Sequence, residues 1–450
     1  KVRFLLRKEP VILNGSPLPL ATDKEKPEMI RRSQLTLLVV LLLLVAVPLV
    51  AVAHEEVGLL ARQAAAFTGV ASNAAENSNA PRSHTPCVNG YAGEFPCNKV
   101  DLLSYVPSDE LGGYFINDIW GWTDPETGDD YALVGTNMGM TIVNITDAKR
   151  PVVVGMLPSH SLVGGEFWRD IKVFADHAFV VAEYEDHGMQ VLDLTEVRDV
   201  DLSGGPVVFA ETAFYGGIGH SHNVAINEET GYAYVVGSDT CAGGPHMVDI
   251  SDPANPTFAG CFEDHGYSHD TQCVIYSGPD ADYQGRELCF SSNANFDGTP
   301  FLNTLSIADV TDKANPVGIS NFEYPDDGYS HQGWLTTDQE YFLHNDELDE
   351  LFGLVSETTT RIFDVRDLDN PILSATIGHG TTAIGHNVYT EGRYMFASNY
   401  TAGLRVYDTR DVADGALPEV AYFDMYPEND TASFEGGTWS NYPYFAQKGV

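Results

Sequence analysis

Residues 219–256, GHSHNVAINEETGYAYVVGSDTCAGGPHMVDISDPANP, decide the fold. They open on a polar pair, His222 and Asn223, that runs into a short apolar strand. A Glu-Glu-Thr-Gly turn leads to the β-rich run YAYVVG, and a Gly-rich turn leads to a strand ending at Asp249. Aromatic and β-branched residues between Gly, Asn, Asp and Pro clusters spell strands joined by turns. A single unit of this kind cannot bury both of its faces, so copies must stack against it.

Copies are easily found. An apolar strand ending in an Asp or Asn corner recurs as TIVNITD, QVLDLTE, HMVDISD, SIADVTD, RIFDVRD and LRVYDTR. A proline follows each corner, at Pro151, Pro206, Pro256, Pro316, Pro371 and Pro418, and introduces another strand. The corner side chain is expected to bond turn N–H groups, and the proline to start an edge strand.

The opening pair of each unit also repeats. It reads Asn117-Asp118, Arg169-Asp170, His222-Asn223, His269-Asp270, His331-Gln332 and His386-Asn387, with a seventh match at Ser440-Asn441. Intervals from position 118 are 52, 53, 47, 62, 55 and 54 residues, a spacing suited to four-stranded propeller blades. The expected fold is therefore all-β, a seven-bladed propeller spanning residues 87–450. Its last blade is truncated at Val450 and closed by an N-terminal strand. Six blades is the alternative if residues 436–450 only pack alongside.

Upstream of the repeats, residues 35–53 are apolar throughout and follow Arg31 and Arg32. Residues 1–53 thus read as a region carrying a signal peptide or an uncleaved signal anchor. Residues 54–86, rich in Ala, Ser and Asn, read as a linker. Either N-terminal reading makes the domain secreted or cell-surface, with membrane contact only through the apolar segment if it is uncleaved.

Export gives the cysteines an oxidising setting. Six of them allow 15 disulfide connectivities. Cys87–Cys97 is the most local pairing, Cys273 and Cys289 belong on neighbouring strands, and Cys241 is within reach of Cys261. The sequons at Asn144, Asn399 and Asn429 are glycan acceptors only in a host that glycosylates. With 24 basic against 64 acidic residues, the net charge of -40 argues against a nucleic-acid partner.

The segments CVNGYAGEFPCNKVDLLSYVP, NDIWGWTDPETGDDYALVG, HSHNVAIN, YSHDTQCVIY, YSHQGWLTTD and GTWSNYPYF are similar to the choice-of-anchor B family of LVIVD-repeat proteins. The resemblance covers roughly residues 87–450. It implies a secreted or surface-displayed propeller and brings no assigned activity or catalytic residue.

Opening strands of propeller blades line the central channel, so their first residues converge at one mouth. Adjacent strand residues point to opposite sides, which separates two columns of candidates. His222, His269, His331 and His386 suit zinc or copper. Asp118, Asp170, Asn223, Asp270, Asn387 and Asn441 offer hard oxygen ligands for calcium, or alternatively brace neighbouring blades. The acidic run Asp346, Glu347, Asp349 and Glu350 reads as solvated loop. Nucleophile-elbow, zinc-protease-helix, phosphate-loop and dinucleotide motifs are absent.

Two functional readings remain. One is an exported module binding a protein, glycan or small molecule, with a divalent cation at the mouth. The other is a metal-dependent hydrolase or oxidase using the His-lined mouth.

Overall fold

The computed structural model describes residues 83–164, 167–294 and 303–445. The residue ladders give six sheets, antiparallel but for one short edge strand and arranged as blades in chain order. Their inner strands are Ile116–Thr123, Arg169–Phe174, Asn223–Asn227, Ser268–Ile275, Ser330–Leu335 and Val388–Glu391 in blades one to six. Blade three has the pattern expected from residues 219–256. Asn223–Asn227 pairs with Tyr232–Val236, which pairs with His246–Asp249, which pairs with Thr257–Cys261.

The corner residues act as their chemistry suggests. The side chains of Asn144, Asp193, Asp249, Asp309, Asp364 and Asp408 each accept the N–H two residues ahead. Each of the six corner prolines is followed at once by a strand. Five of these strands are outer strands of their own blades. Val207–Val208 instead runs parallel to the outer strand of blade one.

Apolar cores lie between successive blades. Leu133, Ile142, Ile171, Val180 and Leu192 pack between blades one and two. Tyr341, Leu343, Ile362, Val388 and Met395 do the same between blades five and six. Burying both faces of each sheet accounts for the near-continuous apolar middle strands, such as Asp130–Thr136, which is buried along its length.

The expectation of seven blades is corrected. The seventh opening motif does reach the ring: Trp439 O accepts bonds from His386 Nδ1 (2.6 Å) and Asn387 Nδ2 (3.2 Å). Yet among the described residues this segment forms one backbone bridge, Tyr400 to Thr438, and no ladder. It fits edgewise between blades six and one, with the Tyr442 ring 5.0 Å from that of Trp120. A built Cβ on Gly121 would fall 2.1 Å from Tyr442 Cε1, so only glycine admits this approach. The motif repeats because its position in the ring repeats, while a blade also needs partner strands.

The N-terminal strand does meet the last blade, but elsewhere than expected. Phe95–Asn98 adds to the outer edge of blade six through Cys97–Phe423 and Asn98–Tyr422, and Tyr91–Ala92 pairs beyond it. It extends a complete sheet instead of completing a seventh, which covers the blade-six edge. Residue 85, inside the expected linker, already bridges to Leu102.

All six cysteines are paired, as Cys87–Cys97, Cys241–Cys261 and Cys273–Cys289. Such pairing points to an oxidising, extracytoplasmic setting. The apolar run 35–53 lies outside the described residues. Within them, no helix is long and apolar enough to cross a membrane.

Candidate functional site

The two columns separate only in part, since His222 and Arg169 line the same small cavity as Asn223 and Asp170. The Asp/Asn column bonds from blade to blade. Asp118 Oδ2 accepts Ile171 N (3.3 Å), Asp170 Oδ2 accepts Val224 N (2.8 Å), and Asn223 Nδ2 donates to His269 O (2.9 Å). Gln332 Oε1 accepts Val388 N (2.5 Å), and Asn441 Nδ2 donates to Ser398 Oγ (2.9 Å). These bonds join the inner strands of blades one to four and of blades five and six without a shared ladder, while between blades four and five Gln272 Oε1 accepts Leu335 N (2.8 Å).

Asp118, Asp170, Asn223, Asp270 and Asn387 also line a cavity of ≈ 20 Å³, room for about one water or one ion. A protein cation is already beside it. Lys172 Nζ lies 2.6 Å from Asp170 Oδ1 and 4.5 Å from the Trp120 ring centre. Burial, then the charge of Asp170, hold the Asp118 carboxyl well above the usual range. The same two causes push Asp270 up to about 7.

The histidine column forms a continuous wall. Ring centres are 4.1 Å apart for His222–His269, 4.2 Å for His269–His331 and 4.1 Å for His331–His386. Backbone carbonyls fix two of these rings, through His269 Nδ1 to His331 O (2.8 Å) and His386 Nδ1 to Trp439 O. His331 Nδ1 is buried with no hydrogen-bond partner.

The acidic run supplies a group that sequence reasoning misplaced. Asp346, Glu347, Asp349 and Glu350 are all buried, at 0%, 9%, 0% and 7% exposure, which corrects the solvated-loop expectation. Asp346 accepts Tyr324 OH and the N–H groups of Gly328 and Tyr329. Asp349 pairs with Arg361 at 2.8 Å, and Glu350 accepts Thr359 N and Gly385 N. Three carboxylates thus anchor the loop and leave Glu347 aimed into the mouth.

Glu347 lies 3.4 Å from His386 Nε2 and 3.8 Å from His331 Nε2, and accepts Tyr400 OH at 2.8 Å. Tyr400 has φ +40°, a left-handed conformation that a bulky residue adopts only when its surroundings enforce it. One ligand atom each from His331, Glu347 and His386 fall within 4.8 Å of one another.

Electrostatics sharpen this arrangement. Burial pushes His331 well below its ordinary pKa and His386 down to about 3, so both imidazoles are neutral at physiological pH. Burial pushes Glu347 up to about 7, against the Tyr400 hydrogen bond and the charge of His222. His222 differs from its neighbours. Burial opposes its protonation, but the charge and 2.5 Å hydrogen bond of Glu183 outweigh it and raise the pKa.

The structure therefore brings His331 and His386 together with Glu347, places His269 beside them, and sets His222 further along the wall with Glu183. Neither glutamate was singled out as a site residue. Leu348 is buried beside the acids, but Leu351, Phe352 and Leu354 are exposed, so the apolar residues of this loop gave no signal of its burial. Of the sequons, Asn399 is buried at 1% exposure, while Asn144 and Asn429 are half-buried.

Residues 218–264 match the LVIVD repeat. No curated protein matches the sequence. Among solved structures, a protein from Lactobacillus plantarum is 14% identical with a TM-score of 0.43, over 64% of this chain and 79% of that one. The periplasmic gluconolactonase of Pseudomonas aeruginosa is 11% identical with a TM-score of 0.46, over 69% and 84%. A hypothetical selenium-binding protein from Sulfolobus tokodaii is 10% identical with a TM-score of 0.43, over 76% and 88%. At such identities the likeness concerns the fold alone.

Proposed function

We propose that this chain is an exported binding propeller whose mouth holds one divalent transition-metal ion between His331, His386 and Glu347. The convergence of those three ligand atoms carries the reading. A tetrahedral ion about 2.1 Å from each ligand needs ligand spacings of about 3.4 Å. Glu347 Oε1 lies 3.4 Å from His386 Nε2 and its Oε2 lies 3.8 Å from His331 Nε2, so the carboxylate turns to bring one oxygen to an ion shared with both rings. Two neutral imidazoles and one carboxylate select zinc or copper over calcium, which prefers oxygen alone.

The exported setting rests on the three disulfides and on the family resemblance, which would place the protein at a surface with other choice-of-anchor B members. An open ligand position would let the ion hold a partner's side chain or a small molecule at the mouth.

Metal analysis tests the reading directly. The purified protein, dialysed against zinc, copper and calcium in turn, should retain one equivalent of zinc or copper. His331→Ala combined with His386→Ala should abolish that retention without unfolding the protein. Calcium retained in place of zinc or copper would move the site to the Asp/Asn cavity and end the histidine reading.

A further inference from the structure

We propose that residues 438–445 form a latch on the metal site: the seated segment orients two of the ligands, and an ion held by them keeps the segment seated. The inference rests on the metal reading above and concerns the regulation of that site.

Two of the three candidate ligands are supported through this segment. His386 Nδ1 donates to Trp439 O at 2.6 Å. A carbonyl oxygen only accepts, so the bond fixes the tautomer and turns the Nε2 lone pair toward Glu347 Oε1, 3.4 Å away. A second route reaches Glu347 itself. Its Oε1 accepts Tyr400 OH at 2.8 Å. The Tyr400 backbone in turn exchanges two hydrogen bonds with Thr438, donating at 3.1 Å and accepting at 3.0 Å. The rings of Tyr400 and Trp439 lie 4.5 and 5.0 Å from that of His386 and 5.7 Å from each other.

The segment is weakly held by its polar groups. Among the described residues, the Tyr400–Thr438 bridge is its one backbone pairing, and it joins no ladder. Thr438 Oγ1, Asn441 Oδ1 and Tyr444 OH are buried with no hydrogen-bond partner. Release would return all three to water, which favours the open state. Aromatic packing opposes release, with Tyr442 5.0 Å from Trp120 and Tyr444 6.3 Å from Tyr389. The bridge also depends on left-handed backbone. Tyr400 has φ +40°, and Gly437 has φ +101° where a Cβ would overlap Tyr400 O. A short stretch with one bridge and unpaired polar groups belongs at the low-stability end of a fold.

Linkage fixes the sign of the coupling. With the segment released, His386 loses the acceptor that orients its ring, and Tyr400 loses the bridge that holds its hydroxyl on Glu347. Loss of such an orienting partner costs about 10–100-fold in metal affinity. An ion that prefers the seated state by that factor stabilises the seat by the same factor.

The test uses the full chain with zinc alone, read by amide exchange and by zinc titration. Saturating zinc should slow exchange of the Thr438 amide about 10–100-fold. The Phe209 amide, bonded to Met156 O on the outer edge of blade one, should not respond. Gly437→Ala unseats the bridge, and Gly121→Val unseats the aromatic end. Each should speed Thr438 exchange in the absence of zinc and weaken zinc binding about 10–100-fold. In cobalt-substituted protein both variants should alter the visible spectrum, which a general loss of stability with the ligands in place would leave unchanged.

Zinc bound by the parent with Thr438 exchange unchanged would overturn the inference and leave the metal reading standing. Zinc affinity within twofold of the parent in both glycine variants, with Thr438 exposed, would do the same. Should neither variant fold, the exchange measurement on the parent decides alone. A parent that binds no zinc would remove both readings.

Discussion

The imidazoles of His331 and His386, from consecutive blades, lie tilted with centres 4.1 Å apart, and the carboxylate of Glu347 reaches both. The pair comes from strand starts that the blade repeat places side by side. The carboxylate comes from a loop whose other acids are consumed in holding it.

That loop depends on Arg361, 1% exposed and paired with Asp349. Arg361→Met leaves the Asp349 charge buried and unpaired, a loss of about 3–5 kcal/mol. Thermal unfolding should show a lower Tm, and zinc titration a weaker site, because Glu347 loses its anchor. A variant with normal zinc affinity would separate the loop network from the site.

Acid should weaken the fold through buried histidines such as His187. Its Nδ1 donates to Gly188 O (3.0 Å) and its Nε2 accepts from Arg169 (3.0 Å). Burial, then the charges of Arg169 and His160, push its pKa down to about 3. The folded state thus favours neutral His187. Its contribution is complete above the unfolded pKa of about 6.5 and is lost as pH falls from there toward 3. Between pH 6.5 and 4.5, His187→Gln should lose about 2–3 kcal/mol less stability than the parent. Urea unfolding at both pH values measures the difference, and equal losses would refute the assignment.

The inter-blade brace is tested at Asp170, which holds both Val224 N and Lys172 Nζ. Asp170→Ala leaves a buried amide and a buried ammonium unpaired, at a cost of about 3–5 kcal/mol. The urea midpoint should fall with an unchanged m-value. A cost below about 1 kcal/mol would show that the column does not brace the ring.

Closure between blades six and one is tested at Gly121, whose missing side chain admits Tyr442 and Phe445. Gly121→Val should displace the C-terminal segment, cost about 1–3 kcal/mol and expose it to protease. Cleavage near Tyr442 is the readout, and a protected segment would mean that closure does not depend on this contact.

The fold was legible where each residue acts on near neighbours. Corner Asp and Asn side chains capping the N–H two residues ahead, prolines opening strands, and apolar middle strands all follow from local geometry repeated six times. The disulfides were also legible, because the repeat register sets Cys273 opposite Cys289. Blade number was not. The match at Trp439 reports a place in the ring, whereas a sheet requires strands that only long-range pairing supplies.

The site divides along the same line. By itself the sequence determined that four histidines share one column at one mouth, since strand period and blade spacing fix both. Only the tertiary structure decided which of them converge and what joins them. Glu347 looked like a solvated acid because its neighbours are acids. It turns inward because Arg361, Tyr324 and a set of backbone N–H groups, from other strands and loops, satisfy those neighbours. Charge burial depends on partners distant in sequence, and no local pattern records them.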